Sequence, residues 1–215
     1  MAMLHKKKLS GKDDKWVWGN DEGTSFSTKS IRREITLKES VYSDAGSFWW
    51  NSWAPLKVNY HAWRVELNRV AAKVSLVNKG LQIPNSTWSR CGMAEESCNH
   101  IFFYCIWARS VWWNILRWMK IPILCNARSV WEIVAHVTAQ VGSKRWRKTV
   151  HLVTLGCIWR LWLARNEKEF KGLMVPVNRI VEHIKEDKFL WIKHRAGGGA
   201  LDWKNWQDFD ISLLV

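Results

Sequence analysis

Trp88-Ser89-Arg90-Cys91-Gly92-Met93-Ala94-Glu95-Glu96-Ser97-Cys98-Asn99-His100-Ile101-Phe102-Phe103-Tyr104-Cys105 gathers three of the chain's five cysteines beside a histidine. Zinc takes four N/S ligands in a tetrahedron, usually delivered as two close pairs. His100-x4-Cys105 is one such pair, because a helical start can bring both onto one face. Cys91-Gly92 has the form of the tight turn that closes a Cys-x2-Cys knuckle, where glycine relieves crowding as backbone amides approach the thiolate. Such a knuckle expects a cysteine at position 88, and Trp88 stands there. An indole N–H is a donor only and cannot ligate a metal. Cys98 is a candidate substitute, two residues before His100. Two outcomes stay open. Zinc sits on Cys91, His100 and Cys105 with Cys98 or water completing the site, or the site is metal-free. Losing one ligand of four removes much of the folding free energy such a metal supplies.

Outward from this cluster the sequence reads as mainly α, a helical bundle with a small N-terminal β-hairpin and a zinc-knuckle-like Cys/His loop. Toward the C-terminus, residues 106–119 put Trp107, Val111, Trp112, Ile115 and Trp118 on one helical stripe. A loop surrounds Pro122, and a short helix covers residues 130–141. The longest helix spans residues 144–171, with a stripe of Val150, Val153, Cys157, Ile158, Leu161 and Trp162, and Gly172 ends it. Another amphipathic helix spans residues 178–194. Gly197-Gly198-Gly199 is a spacer before a tail carrying Trp203, Trp206 and Phe209.

Toward the N-terminus, residues 58–70 and 71–80 read as helical, the latter closing on Asn78 and Gly80. Trp49, Trp50 and Trp53 fall on one helical face that Pro55 stops. Ser27 or Ser30 caps a helix over residues 31–37. Lys15-Trp16-Val17-Trp18 and Thr24-Ser25-Phe26-Ser27-Thr28 alternate about a Gly/Asn/Asp turn, which gives the hairpin. There is no internal repeat.

The chain has 215 residues, 47% of them apolar, enough for a core and against disorder. No apolar run approaches the roughly 20 residues of a membrane span. The start turns polar at once, so no secretory leader is expected. With an odd number of cysteines, a disulfide framework is not expected; the sequence assigns no firm compartment, and an intracellular one, nuclear or cytoplasmic, stays open. Net charge is +14, spread as +5, +4 and +5 over residues 1–75, 76–130 and 131–215. The sharpest basic runs are Lys6-Lys7-Lys8 and Lys144-Arg145-Trp146-Arg147-Lys148. Such a field favours polyanions through counterion release, so Lys6, Lys7, Lys8, Lys144, Arg145, Arg147 and Lys148 are candidate phosphate contacts. The 18 tryptophans read chiefly as core, with any exposed indole open to base stacking. Cys125 lies outside the cluster, and Cys157 reads as core. His61, His136, His151 and His183 read as packing or surface. Glu95-Glu96 reads as a helix cap or as a support for the histidine rather than as catalytic carboxylates.

The run Cys91-Gly92, Glu95-Glu96-Ser97, Asn99-His100-Ile101-Phe102-Phe103-x-Cys105 resembles the zinc-binding domain that follows the reverse transcriptase of plant LINE-type (non-LTR) retrotransposons. That domain's usual form is Cys-x2-Cys-Gly, a short loop, Glu-Glu-Ser/Thr, then His-Leu-Phe-x2-Cys. Asp14-Lys15-Trp16-Val17-Trp18 with Gly23-x2-Phe26-Ser27-x-Lys29-Ser30 is similar to its opening hairpin. Trp53-x3-Lys57-Val58-x3-Ala62-Trp63-Arg64 and Leu76-x2-Lys79-Gly80 are similar to its next elements. Ile158-Trp159-Arg160-Leu161-Trp162-x2-Arg165-Asn166-x3-Phe170 resembles a run found past the zinc domain. The resemblance covers roughly residues 14–171.

It implies a basic lead-in (1–13), a zinc-binding domain (14–120), a helical extension (121–196) and a Gly linker with a Trp-rich tail (197–215). Cys91, His100 and Cys105 correspond to three of the four family ligands, and Trp88 to the fourth. The family's polymerase tetrad, aromatic-Ala-Asp-Asp, does not occur; Asp13-Asp14 is the one adjacent Asp pair and sits among lysines. No P-loop, Rossmann glycine pattern or Gly-x-Ser-x-Gly occurs either. The expectation is a non-enzymatic accessory module downstream of a polymerase. Its partners are RNA or DNA and a reverse transcriptase core, with no membrane and no small-molecule substrate. The alternative is a decayed structural or protein-interaction remnant with neither metal nor nucleic-acid role.

Overall fold

A computed structural model describes Thr28, residues 48–197 and residues 201–211. The chain divides into two units, Met1–Phe48 and Trp49–Val215, and all elements named here belong to the second. They are α1 (Leu56–Glu66), α2 (Lys73–Val77), a π-helical turn (His100–Tyr104), α3 (Ile106–Trp118), α4 (Val130–Thr138), α5 (Lys144–Lys171), α6 (Val177–Arg195) and α7 (Trp203–Gln207). Among the described residues, no helix is long and apolar enough to cross a membrane.

The bundle is organised around α5. Ser143 caps its start by accepting from the Trp146 amide, and Gly172, at φ +69°, closes its end in the left-handed conformation that glycine adopts without strain. Thr149 to Ile158 are buried without a break, so its middle is surrounded on every side rather than presenting a single stripe. α1, α3, α4, α6 and the π turn all pack against it. The facing stripe of α6 is Ile180, Ile184, Lys188 and Ile192, four residues apart, with a lysine in an otherwise aliphatic row. At the crossing, a Cβ on Gly156 would fall 1.7 Å from Lys188 Cε, so glycine is what admits the lysine chain.

α3 buries Trp107, Val111, Trp112, Ile115 and Trp118. The tail docks on it. Trp118 Nε1 donates to Gln207 O at 2.8 Å, Trp206 Nε1 donates to Lys185 O at 2.8 Å, and Trp118 meets Trp206 and Phe209 edge to face. Indoles thus bury their rings while handing the N–H to a carbonyl.

Two expectations need correction. The small β element is absent from the described residues: no strand forms, and the extended pairing there is a single antiparallel bridge, Thr87 to Glu95. The expected hairpin and the helix over residues 31–37 lie outside the described residues, except Thr28, which is helical rather than extended. A period-two pattern a few residues long does not separate strand from helix.

Residues 48–55 are also not helical. Asn51 Oδ1 accepts from the Trp53 amide at 3.0 Å, a side-chain turn that competes with the helix. Pro55 opens α1 instead of stopping a helix.

Candidate metal centre

The centre is built from two short pieces of backbone. In the first, Trp88 N donates to Ala94 O and Glu96 N to Ser86 O, each at 2.8 Å, on either side of the Thr87–Glu95 bridge. Gly92, at φ +66°, returns its N–H to Trp88 O at 2.9 Å. This is the tight knuckle turn, and it closes with tryptophan in the first position. In the second piece, Ser97 Oγ accepts from the His100 amide at 3.1 Å. The His100–Tyr104 turn then closes with Cys105 N on His100 O at 3.0 Å. Five residues along an α-helix lie about 140° apart around the axis. The wider i→i+5 turn swings Cys105 back toward the side of His100.

Together the two pieces bring Cys91, His100 and Cys105 to one place. Their ligating atoms all lie within 4.8 Å of one another, and Cys91 Sγ is 3.2 Å from His100 Nε2. With Zn–S about 2.3 Å and Zn–N about 2.0 Å, tetrahedral donors stand about 3.5–3.8 Å apart, so seating an ion takes only small shifts, including a slight widening of the Cys91–His100 pair. The donor set, two thiols and an imidazole, suits zinc. Burial lowers the His100 pKa, which favours the neutral imidazole a metal requires. Burial pushes the Cys105 thiol up, the Cys91 thiolate adds to this, and the Trp107 and Ala108 amides at the start of α3 oppose it.

Trp88 is wholly buried, and its indole N–H has no hydrogen-bond partner of good geometry. It lies near enough to the Cys105 sulfur to favour the thiolate. Among the described residues no fourth cysteine, histidine or carboxylate joins the trio, so these residues fit zinc with three protein ligands and one open position. Cys98 stands apart from the trio. Its sulfur contacts Val65 O on α1 at 3.7 Å, and burial pushes its thiol up to about 12.

The surroundings tie the centre to α5 and its C-terminal side. Glu96 Oε1 accepts from Arg165 Nη2 at 2.5 Å and from the Lys73 amide, at the start of α2, at 3.2 Å. Glu95 takes the Ser86 hydroxyl at 2.7 Å. Neither carboxylate reaches His100; Glu96 instead docks the loop. Ser89 Oγ donates to Glu169 at 3.2 Å. Arg90 stacks 3.6 Å over the Trp107 ring and donates to Val175 O. Burial lowers the Arg90 pKa to about 10, and Cys105 partly offsets this, so Arg90 stands as a cation beside the Cys105 sulfur at neutral pH.

The basic candidates lie elsewhere. Lys144, Arg145 and Arg147 are exposed and Lys148 half-buried on the first turns of α5. Seventeen residues separate Lys148 from Arg165, about 25 Å along the helix axis. Metal centre and basic cluster therefore mark opposite ends of one helix. Lys6, Lys7 and Lys8 lie outside the described residues.

The sequence placed Trp49 on a helical face with Trp50 and Trp53 and did not mark its stacking flat on His151, nor the burial of Lys188. The exposed-tryptophan signal applied to the first; nothing in the pattern marked the second. The chain matches no curated protein and no solved structure. Residues 26–112, which include Trp88, Cys91, His100 and Cys105, match the family model described as zinc-binding in reverse transcriptase, and this stretch is therefore similar to a zinc-binding domain associated with retrotransposon reverse transcriptase rather than to a polymerase domain.

Proposed function

We propose that the chain is a non-catalytic accessory module derived from a plant LINE-type (non-LTR) retrotransposon reverse transcriptase. It uses zinc to fix its knuckle and holds RNA or DNA beside a polymerase core. The observation that carries the reading is the convergence of Cys91, His100 and Cys105 inside the stretch similar to the zinc-binding family. Bound zinc would act as a structural crosslink that contributes folding free energy. Cys91 and Cys105 would supply thiolates and His100 its Nε2, while Arg90 moderates the negative charge. The nucleic-acid role is supported by the +14 charge and by Lys144, Arg145, Arg147 and Lys148 grouped on α5.

Elemental analysis of the purified chain tests the metal. About one zinc per chain is expected, lost in Cys105→Ser and kept in Cys98→Ser. A folded chain without zinc overturns the zinc reading. Filter binding at low salt tests the polyanion, and no retention of RNA or DNA removes that role.

A second reading, a protein-interaction remnant, is favoured by the outer face of α3. There Tyr104, Ile106 and Trp113 are exposed around a cavity of about 410 Å³ that Arg109 also lines. Poor solubility of the isolated chain together with no nucleic-acid affinity would support it.

A further inference from the structure

Residues 49–54 cross the first turns of α5 and carry an aromatic platform. Trp49 lies flat on His151, with ring centroids 4.4 Å apart and planes 6° from parallel. It remains 48% exposed, as suits an indole covered on one face only. His151 is buried, and burial lowers its pKa to about 4, so the ring beneath Trp49 is neutral at physiological pH.

The platform is held rigidly. Asn51 N donates to Asn59 Oδ1 at 2.8 Å, and Asn59 Nδ2 returns a bond to Asn51 O at 3.0 Å. Asn51 Nδ2 donates to Lys148 O at 2.8 Å, fastening the segment to α5. A rigid aromatic face costs little ordering entropy when a ligand settles on it.

Cations stand along the same stripe of α5. Lys148 Nζ lies 4.5 Å from the Trp53 ring centroid and donates to Ser52 Oγ at 2.6 Å. Lys144 is one turn earlier, and its charge adds to burial in lowering the Lys148 pKa, so the two ammonium groups are neighbours. No Asp or Glu occurs in the sequence between Glu132 and Glu167. A stacking face beside clustered lysines, with no acidic residue in the local chain, is the combination that binds single strands without sequence preference. A duplex hides its base faces and can use only the lysines.

We propose that the open face of Trp49 is a base-stacking platform for single-stranded nucleic acid, with Lys144 and Lys148 holding the adjoining phosphates. This rests on the nucleic-acid reading above and deepens it. The test is fluorescence anisotropy of the full chain with a labelled oligouridylate and with a duplex of equal length. Trp49→Ala should weaken single-strand binding about 5- to 100-fold. Trp49→Leu, which keeps an apolar cover on His151, should weaken it equally, and Trp49→Phe should retain most of it. Duplex binding should be unchanged in all three. Lys144→Ala/Lys148→Ala should weaken both ligands and flatten the salt dependence.

Single-strand binding at the wild-type level in both Trp49→Ala and Trp49→Leu overturns the platform and leaves the nucleic-acid reading standing. Equal loss on both ligands overturns the single-strand assignment. A wild-type chain that binds neither ligand overturns both readings.

Discussion

Arg165 and Glu96 form an ion pair at 2.5 Å, with side chains 5% and 0% exposed, and it joins the last turns of α5 to the knuckle loop. Arg165 is further held by Asn166 Oδ1 at 3.1 Å and lies over the Trp162 ring. Glu96 Oε2 has no hydrogen-bond partner, so the carboxylate depends on this guanidinium and on the Lys73 amide. Desolvating both charges is costly, and the cost is tolerable only while they remain together.

Removing one partner should therefore hurt more than removing both. Arg165→Met should lose about 3–5 kcal/mol in urea unfolding, because it strands a buried carboxylate. Arg165→Met/Glu96→Gln should lose clearly less than the sum of the single losses. Additive losses would mean that the pair is not coupled.

Acid should unfold the chain through two histidines. His61 is caged by Phe102, Trp159 and Trp162, at centroid distances of 6.0, 5.3 and 5.3 Å. Burial, then the Arg64 charge, lowers its pKa to about 4, and burial does the same to His151. The unfolded chain takes up protons from about pH 6.5 downward and the native chain does not, so stability falls as pH drops from about 6.5 to about 4. Urea midpoints between pH 4 and 7 should show this slope, and His61→Phe, which fits an aromatic cage, should make it shallower. An unchanged slope in His61→Phe would place the protonation elsewhere.

Much of this was legible where the determinants are local. Gly172 ends α5 in the sequence as in the structure, because caps act within one turn. The close pair His100 and Cys105 was legible as ligand spacing, but the π turn that aligns them was not, since no residue type specifies it. Asn51 overrode the helical spacing of Trp49, Trp50 and Trp53 by bonding its own backbone and Asn59. The Glu96–Arg165 pair spans 69 positions, and no local pattern announces which loop carboxylate a distant arginine will take. Lys188 was lost in an amphipathic average that counts a lysine as surface.

Lys188 should oppose folding near neutral pH. It is wholly buried, its Nζ has no hydrogen-bond partner, and it lies 3.4 Å from the Trp191 ring centroid. Asp187 is 3.6 Å away, but its carboxylate is engaged by Arg160 at 2.6 Å. Burial outweighs Asp187 and lowers the Lys188 pKa to about 7. Between about pH 7 and pH 10 the unfolded chain holds this proton and the native chain does not, so Lys188 makes stability rise with pH across that window. Lys188→Met keeps the chain length that Gly156 admits and should raise the urea midpoint at pH 7, with the gain shrinking by pH 10. A gain that does not change with pH would show that Lys188 stays charged in the fold.

Trp88 offers the sharpest test of the centre, because one residue fills the core and stands three positions before Cys91, where a Cys-x2-Cys pair would have its first cysteine. Its indole is wholly buried and its N–H lies beside Cys105. Trp88→Cys should empty a large volume and cost the metal-free chain about 3–5 kcal/mol. It should also place a thiol three residues before Cys91, at the start of the turn that Gly92 closes onto Trp88 O at 2.9 Å. Zinc binding to the folded state then adds stability in proportion to the logarithm of zinc over its dissociation constant. Thermal melts with zinc and with chelator should thus differ more in Trp88→Cys than in the wild type, with the variant falling below the wild type only in chelator. An equal zinc-to-chelator difference in the two chains would show that position 88 lies outside the coordination sphere and that the turn keeps its form for packing alone.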